Sequence, residues 1–250
     1  DGGTGMGKIT VIGIGPGSYD NLTPEAREAI VSAEVVAGYK PYIKLIEDLV
    51  GGKEIIGNGM MQEVDRCRLA VDSACKGKNT IVVSSGDSGV YGMAGLVLEI
   101  ILKMPKEDRP EVRIIAGLSA VYASAAILGA PLMHDFAIIS LSNRLTPLDL
   151  IMKRVELAAQ GDFVIAFYNP KSKSRSTHIE EAQKILLKYK SPDTPVGIVN
   201  NATRANQTKV ISTLKDFTKE DINMFSMVII GNSQTFVQDG FMVTPRGYKV

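Results

Sequence analysis

The sequence predicts an α/β protein with a mainly parallel amino-terminal sheet and a mixed carboxy-terminal sheet, on three observations. Short apolar runs alternate with helical patterns through the first half, which is the punctuation of βαβ units. Three of those runs break into Gly/Ser-rich loops, at Gly13, Ser84 and Ala116, and the carboxyl ends of parallel strands share one edge. In the second half the runs follow one another too closely for a crossover between every pair, so some pair antiparallel. A chain of 250 residues has room for one large domain or two modest ones. The change of character places the boundary near residues 139 to 147, giving domains 8–139 and 145–250.

Lys8 to Ile14 is the first strand, apolar at Ile9, Val11, Ile12 and Ile14. The Gly-rich segment Asp1 to Gly7, which does not open on Met, is expected to lie outside the fold. Thr23-Pro24-Glu25 is a helix start, with an N-cap hydroxyl, a proline at the first helical position and an acid in the first turn. The helix runs to Ala33 with Ala26, Ala29 and Ile30 on one face. A strand over Ala33 to Ala37, a helix over Pro41 to Val50 and a strand over Glu54 to Ile56 follow. Val64, Cys67, Val71, Ala74 and Cys75 lie at helical spacing, so both thiols are expected to face the core. Next come a strand over Asn79 to Ser84, a helix over Met93 to Lys103, a strand over Val112 to Ala116 and a small-residue helix to Leu128. The second half reads as a strand at Phe136 to Ser140, a linker to Pro147 and a helix over Leu148 to Ala159. A strand at Asp162 to Phe167 precedes a helix over His178 to Tyr189 with Ile179, Ala182, Ile185, Leu186 and Tyr189 inward. Strands at Val196 to Val199, Lys209 to Thr213 and Met227 to Ile230 complete it.

Composition excludes several classes. The apolar fraction of 45% and charged fraction of 22% are those of an ordinary soluble globular protein. A net charge of +1 provides no field for nucleic acid or an anionic membrane. No apolar run approaches the roughly 20 residues that span a bilayer, and no basic-then-apolar segment resembles a signal peptide. Two cysteines without Cys-x-x-Cys spacing, and only two histidines, His134 and His178, disfavour a metal site and most histidine catalysis. The cysteine usage suits a reducing, cytoplasmic setting without disulfides.

The loop after the first strand, Gly13-Ile14-Gly15-Pro16-Gly17-Ser18, invites comparison with a dinucleotide loop and departs from it. Its spacing is G-x-G-x-G, with Ser18 where the third glycine belongs. Pro16 lacks an N–H to donate to phosphate. No helix follows at once, and the second strand ends in Gly38-Tyr39-Lys40, with no acid for a ribose hydroxyl. The loop reads as ligand-facing or as a tight structural turn, not as a nicotinamide site.

Further stretches in fixed order carry a resemblance. They are Leu22-Thr23-Pro24-Glu25-Ala26, Ser85-Gly86-Asp87-Ser88-Gly89-Val90-Tyr91-Gly92, Phe167-Tyr168-Asn169-Pro170 and Asn201-Ala202-Thr203-Arg204. Gly231-Asn232-Ser233 and Thr244-Pro245-Arg246-Gly247-Tyr248 complete the series. Together with the opening loop they resemble the tetrapyrrole (corrin/porphyrin) methyltransferase family over roughly residues 8 to 248. The later stretches resemble the branch that methylates C17 of precorrin-3B or cobalt-factor III, with ring contraction, in cobalamin biosynthesis. The resemblance implies a two-domain α/β enzyme, a homodimer, with S-adenosylmethionine in a cleft between domains. It implies donor contacts from Pro16, Gly86, Asp87, Val90, Tyr91, Ser119 and Ala120, and from Tyr168, Ala202, Thr244 and Pro245. Relatives read Gly-Asp-Pro where this chain has Ser88, and an acid where it has Asn143.

Methyl transfer from a sulfonium needs positioning and water exclusion more than a nucleophile or a metal. No catalytic acid or base is identified from the sequence. A tetrapyrrole substrate is a small molecule with several carboxylates, and arginine forks match carboxylates bidentately. Arg144, Arg175, Arg204 and Arg246 sit in or beside strand-end motifs, and Lys171 and Lys173 flank Asn169-Pro170; at least two of this set are expected to bind substrate. Each taken alone also reads as a solvated surface charge. Asp87 reads as a donor ligand or as an Asx residue shaping its loop. Asn169 and Asn201 read as ligands or as pins of their own turns, and His134 as a strand cap or a proton acceptor. A nucleotide-dependent oxidoreductase, a methyltransferase of another tetrapyrrole carbon or of RNA, and a tetrapyrrole carrier without methyl transfer are the rival readings.

Overall fold

In the computed structural model, which describes residues 6–57 and 62–250, the chain forms two units, one ending at Ala120 and one starting at Val121. The first contains β1 (Lys8–Gly13), α1 (Pro24–Ser32), β2 (Val35–Gly38), α2 (Lys40–Lys44), β3 (Glu54–Ile56), α3 (Glu63–Cys75), β4 (Thr80–Ser84), α4 (Ala94–Leu102) and β5 (Glu111–Ile115). Its five strands are all parallel, in the order β3-β2-β4-β1-β5. Strands covered on both faces need apolar side chains at nearly every position, which is why β1 and β4 read as continuous apolar runs. Alternate residues serve opposite faces: Ile12, Ile14, Ile81 and Val83 pack with α1 and α2, and Ile9, Val11 and Val82 with α3 and α4. The helices leaving the adjacent strands β1 and β4 therefore go to opposite faces. Such a reversal between neighbouring parallel strands is where α/β sheets place their ligands.

Thr23 caps α1 as expected, its hydroxyl accepting from Ala26 N at 3.0 Å. The helix expected over Pro41 to Val50 is broken: α2 ends at Lys44 and a 3-10 turn spans Glu47–Leu49. Ile43, Ile46 and Val50 all turn into the core, and tighter bonds such as Leu45 N to Tyr42 O bring them there. On α3 the buried stripe is Cys67, Ala70, Val71 and Ala74; Val64 is 40% exposed, and Cys75 is half-buried rather than fully inward. The fold also begins earlier than expected. Gly7 donates to Ala74 O and accepts from Glu111 N, and a Cβ there would lie 2.4 Å from Lys78 O; residues 1–5 of the expected leader lie outside the described residues.

The second unit contains α5 (Ala120–Leu128), β6 (Gly129–Ala130), β7 (Phe136–Ser140), α6 (Leu148–Gln160), β8 (Val164–Tyr168), α7 (His178–Leu186), β9 (Pro195–Asn200), β10 (Thr208–Thr213), β11 (Ser226–Ile230), β12 (Phe236–Gln238) and β13 (Phe241–Val243). Its main sheet is mixed, in the order β10-β9-β11-β8-β7, with only β7 and β8 paired in parallel. On one face α6 and α7 bury Val155, Ile179 and Leu186 against Ile165, Phe167, Ile198 and Val228. On the other, α5 and β13 come close to Gly197: a Cβ there would lie 2.5 Å from Leu128 Cδ1 and 3.0 Å from Met242 Sδ, so a larger residue requires the Leu128 side chain to shift. β6, β12 and β13 form a small sheet that sequence patterning did not predict. Because β6 pairs with β13, α5 and β6 group with the second unit, and the division falls at 120/121, earlier than residues 139 to 147. Tyr189 is 43% exposed, since α7 ends at Leu186.

Candidate functional site

At the carboxyl edge of the first sheet the three Gly/Ser loops meet, as their strand directions require. Gly15 and Gly86 exchange two backbone bonds, 3.0 and 2.9 Å long. A Cβ on Gly13 would lie 2.6 Å from Gly86 O, and one on Gly117 would lie 2.3 Å from the same oxygen. Gly15 and Gly86 also take left-handed φ values of +74° and +66°, open to glycine at little cost. These glycines let three backbones touch.

Asp87 ties the loops together. Its Oδ2 accepts from Gly89 N at 2.9 Å and its Oδ1 from Gly117 N at 2.8 Å, so one carboxylate spans the loops after β4 and β5. That is the loop-shaping role, and each oxygen keeps a lone pair for a further donor. Ser88 is buried and donates to Ile115 O at 2.9 Å, so the residue that departs from Gly-Asp-Pro anchors its loop by a side chain. Pro16 and Ser119 are buried, Val90 and Ala120 half-buried, and Tyr91, at φ +54°, is 54% exposed. Residues 13–18, 84–92 and 116–120 carry one charged side chain, Asp87, and no cation. Such an edge suits a cationic or neutral ligand and gives phosphates nothing to pair with.

The second unit has its own edge. β7, β8 and β9 run the same way, so Ser140, Tyr168 and Asn200 end at one side, where β11 begins. Side chains stitch these loops. Ser140 Oγ accepts from Ser142 N at 3.2 Å and from Asn169 Nδ2 at 3.0 Å. Asn169 sits at φ +51°, so it pins its turn. His178, which sequence reasoning saw only as a helix start, is buried and holds Leu141 O through Nδ1 at 2.8 Å. A carbonyl can only accept, so Nδ1 carries the proton. No local pattern signals that role, because the partner lies on another loop.

The loops leaving β7, β8 and β9 carry Arg144, Lys171, Lys173, Arg175 and Arg204 and no acid, while the segment entering β11 carries Glu220 and Asp221. Arg144 is exposed, whereas Arg175 is half-buried with its Nε covered and without a hydrogen bond. Burial, and then the neighbouring Arg144 guanidinium, hold the Arg175 guanidinium below the usual arginine range. Arg204 lies with Cζ 5.6 Å from the centroid of the Phe225 ring, a cation–π contact. Ala202 is buried in the same turn, and Asn201 takes φ +52°.

Other expected site residues stand apart from this edge. β11 is antiparallel to β8 and β9, so its end lies beside their beginnings, and Gly231-Asn232-Ser233 sits there: Gly231 N donates to Pro195 O and Ser233 N to Asp162 Oδ1. Thr244 is fully buried with its hydroxyl 2.7 Å from that of Thr235, in the same network as Asn232. Thr244, the half-buried Pro245 and the exposed Arg246 therefore lie toward the opposite side of this sheet from Tyr168, Ala202 and the other arginines. Local pattern could not reveal this, because it does not state strand direction. His134 is exposed, and its Nδ1 accepts from Asp135 N at 2.9 Å, the capping role.

Comparison with known proteins bears on this arrangement. Residues 8–218 match the family model described as Tetrapyrrole (Corrin/Porphyrin) Methylases. The chain is 52% identical over 97% of its length to the cobalt-factor III methyltransferase of Priestia megaterium, of which it spans 45%. It is 50% identical over 96% of its length to the probable cobalt-factor III C(17)-methyltransferase of Salmonella typhimurium, and spans 99% of that protein. Among solved structures, the methyltransferase CobJ superposes with a TM-score of 0.89 at 36% identity, covering 96% of this chain and 100% of that one.

Proposed function

The chain belongs to the tetrapyrrole (corrin/porphyrin) methylase family, and from that premise we propose that it transfers a methyl group from S-adenosylmethionine to C17 of cobalt-factor III or precorrin-3B, with ring contraction, in cobalamin biosynthesis. The observation that carries the reading is the 50% identity over 99% of the Salmonella protein. Two relatives at 50% and 52% identity bear cobalt-factor III in their names, which favours the cobalt-bearing substrate.

The residues of the first edge fit the donor, a sulfonium cation without phosphates, because the one charge on those loops is the Asp87 carboxylate. The donor supplies a methyl group already activated for displacement. The chain's task is to hold the accepting carbon about 3 Å from it and to keep water out. Pro16, Gly86, Asp87, Val90, Tyr91, Ser119 and Ala120 are the donor contacts we propose in the first unit. With this reading we propose a homodimer in the cytoplasm; the free thiols Cys67 and Cys75 suit a reducing compartment. Among the described residues no helix is long and apolar enough to cross a membrane.

Incubating the purified protein with donor and each tetrapyrrole tests the proposal. A product of cobalt-factor III heavier by one methyl group, with altered absorbance, is expected. Absence of transfer to both cobalt-factor III and precorrin-3B would overturn it. Light scattering reads the mass of the assembly.

A further inference from the structure

Resting on the methyltransferase reading, we propose that the outward face of α4, continued by Ile114 on β5, seats a second copy of the chain, and that this contact braces the donor-contacting loop Ser85–Gly92.

Composition sets α4 apart from the other helices of its unit. Toward solvent, α1 carries Glu25, Arg27 and Glu28, and α3 carries Glu63, Asp65, Arg68 and Asp72. α4 has one charge in nine residues, Glu99. Ala94, Val97 and Ile101 are its buried stripe, and Leu96 and Ile100 pack against the same core. Gly95, Leu98 and Leu102, at i, i+3 and i+7, form the neighbouring stripe, half-buried at Leu98 and 61% exposed at Leu102. A helix with so little polar surface is ordinarily covered on every side. β5 extends the patch. It is the last strand of its sheet, and Ile114 pairs with Val11, whose side chain lies on the α3 and α4 side; Ile114 is 40% exposed there.

The notch at Gly95 points to an approach from outside. A glycine weakens a helix interior relative to alanine. Nothing in the chain requires one here: the residue is not at a positive φ, and a Cβ would meet no atom within 4 Å. The missing side chain lets another backbone come close.

The charges favour a copy of the same chain as the occupant. Glu99 and Lys103 stand exposed one turn apart at the border of the patch, and neither enters an ion pair among the described residues. An acid and a base on one helix complement themselves, since an antiparallel two-fold contact brings each acid toward the partner's base. A stable contact takes about 800 Å² from each copy, more than one short helix offers, so the seat must run on over β5.

The seat bears on the site because the loop is folded onto the start of α4. Ala94 N donates to Ser88 O at 3.0 Å and Met93 N to Ser84 Oγ at 3.0 Å, and a Cβ on Gly92 would lie 2.4 Å from Ser88 O. Holding α4 therefore holds the loop that carries Asp87. Linkage is reciprocal, so donor tightens the dimer by the factor that dimerisation tightens donor binding.

Sedimentation equilibrium over a range of concentrations reads the assembly, calorimetry with S-adenosylmethionine the donor site, and thermal melting the fold. The unmutated protein should be a dimer whose dissociation constant falls when donor is present. Leu102→Glu and Gly95→Gln should each raise that constant about ten-fold or more and leave the melting of the dilute protein unchanged. The resulting monomer should bind donor several-fold more weakly. Glu99→Lys and Lys103→Glu should each weaken the dimer several-fold, and an equimolar mixture of the two should recover it, because each pair of lysines then faces a pair of glutamates. A monomeric unmutated protein, a dimer indifferent to Leu102→Glu and Gly95→Gln, or a mixture no tighter than its components would overturn the seat. A monomeric variant that binds donor as tightly as the dimer would overturn the brace. Failure of the unmutated protein to bind donor at any concentration would overturn the methyltransferase reading instead, with the mass measurement still deciding the seat.

Discussion

At the carboxyl edge of β1, β4 and β5 the loops are held backbone against backbone; at the edge of β7, β8 and β9 they are held by side chains. The first edge brings Gly13, Gly15, Gly86 and Gly117 into contact and carries one acid. The second is stitched by Ser140, Asn169 and His178 and carries five cations. The difference is one of charge as well as packing: the first edge is a nearly uncharged wall, and the second carries spaced cations. It also teaches where each edge is vulnerable. A backbone contact fails all at once, whereas a stitched loop loses one stitch at a time.

Gly117→Ala is the sharpest way to break the comparison. Its Cβ would fall on Gly86 O, and neither backbone can move without the other, so a loss of about 3 kcal/mol and of donor binding is expected. Denaturant unfolding with donor calorimetry would show it; a variant as stable as the unmutated protein would show that the contact is not tight. Asp87→Ala comes next, at about 2 kcal/mol, because it removes a charged acceptor from two backbone donors. If donor affinity survives that change once folding is restored at low temperature, Asp87 serves only the loops. Ser140→Ala should cost only about 1 kcal/mol. Denaturant unfolding should show it, and an unchanged midpoint would mean that this stitch carries no stability.

The smallest effect separates the two cores by pH. Burial pushes the Cys67 thiol up to about 11, outweighing the opposing influence of Arg66. The folded thiol keeps its proton after the unfolded one has lost it, so its contribution is complete below the ordinary thiol pKa and is lost as pH rises toward about 11. In the second unit, burial holds Lys190 below the usual lysine range against the pull of Asp162, and its sign is opposite: rising alkalinity relieves it. Alkaline melts of Cys67→Ala should therefore fall less steeply than those of the unmutated protein. Parallel curves would mean the thiol is not linked to folding.

The first sheet was legible because a parallel strand covered on both faces announces itself as an apolar run, and β3 falls where Glu54 to Ile56 predicted it. The convergence of its loops followed from strand direction alone. In the second unit the strands were legible and their directions were not. Gly231-Asn232-Ser233 and Thr244 therefore went unrecognised as parts of one anchoring network away from Tyr168 and Ala202. β12 and β13 escaped notice because each is three residues long, and β12 is exposed throughout. Arg175 could be suspected from composition, but its pairing with Arg144 depends on a turn closed by Ser172 and Arg175 themselves.

The pairing of β6 with β13 has a consequence for the order in which the protein is made. The first sheet closes once β5 has left the ribosome, with every strand partner already synthesised. Gly129 must wait for Met242, a partner far along the chain. Until then the face of the second sheet around Gly197 has Leu128 of α5 but lacks Met242. The second unit is thus a late and long-range assembly, slow on topological grounds and exposed to wrong partners while it waits.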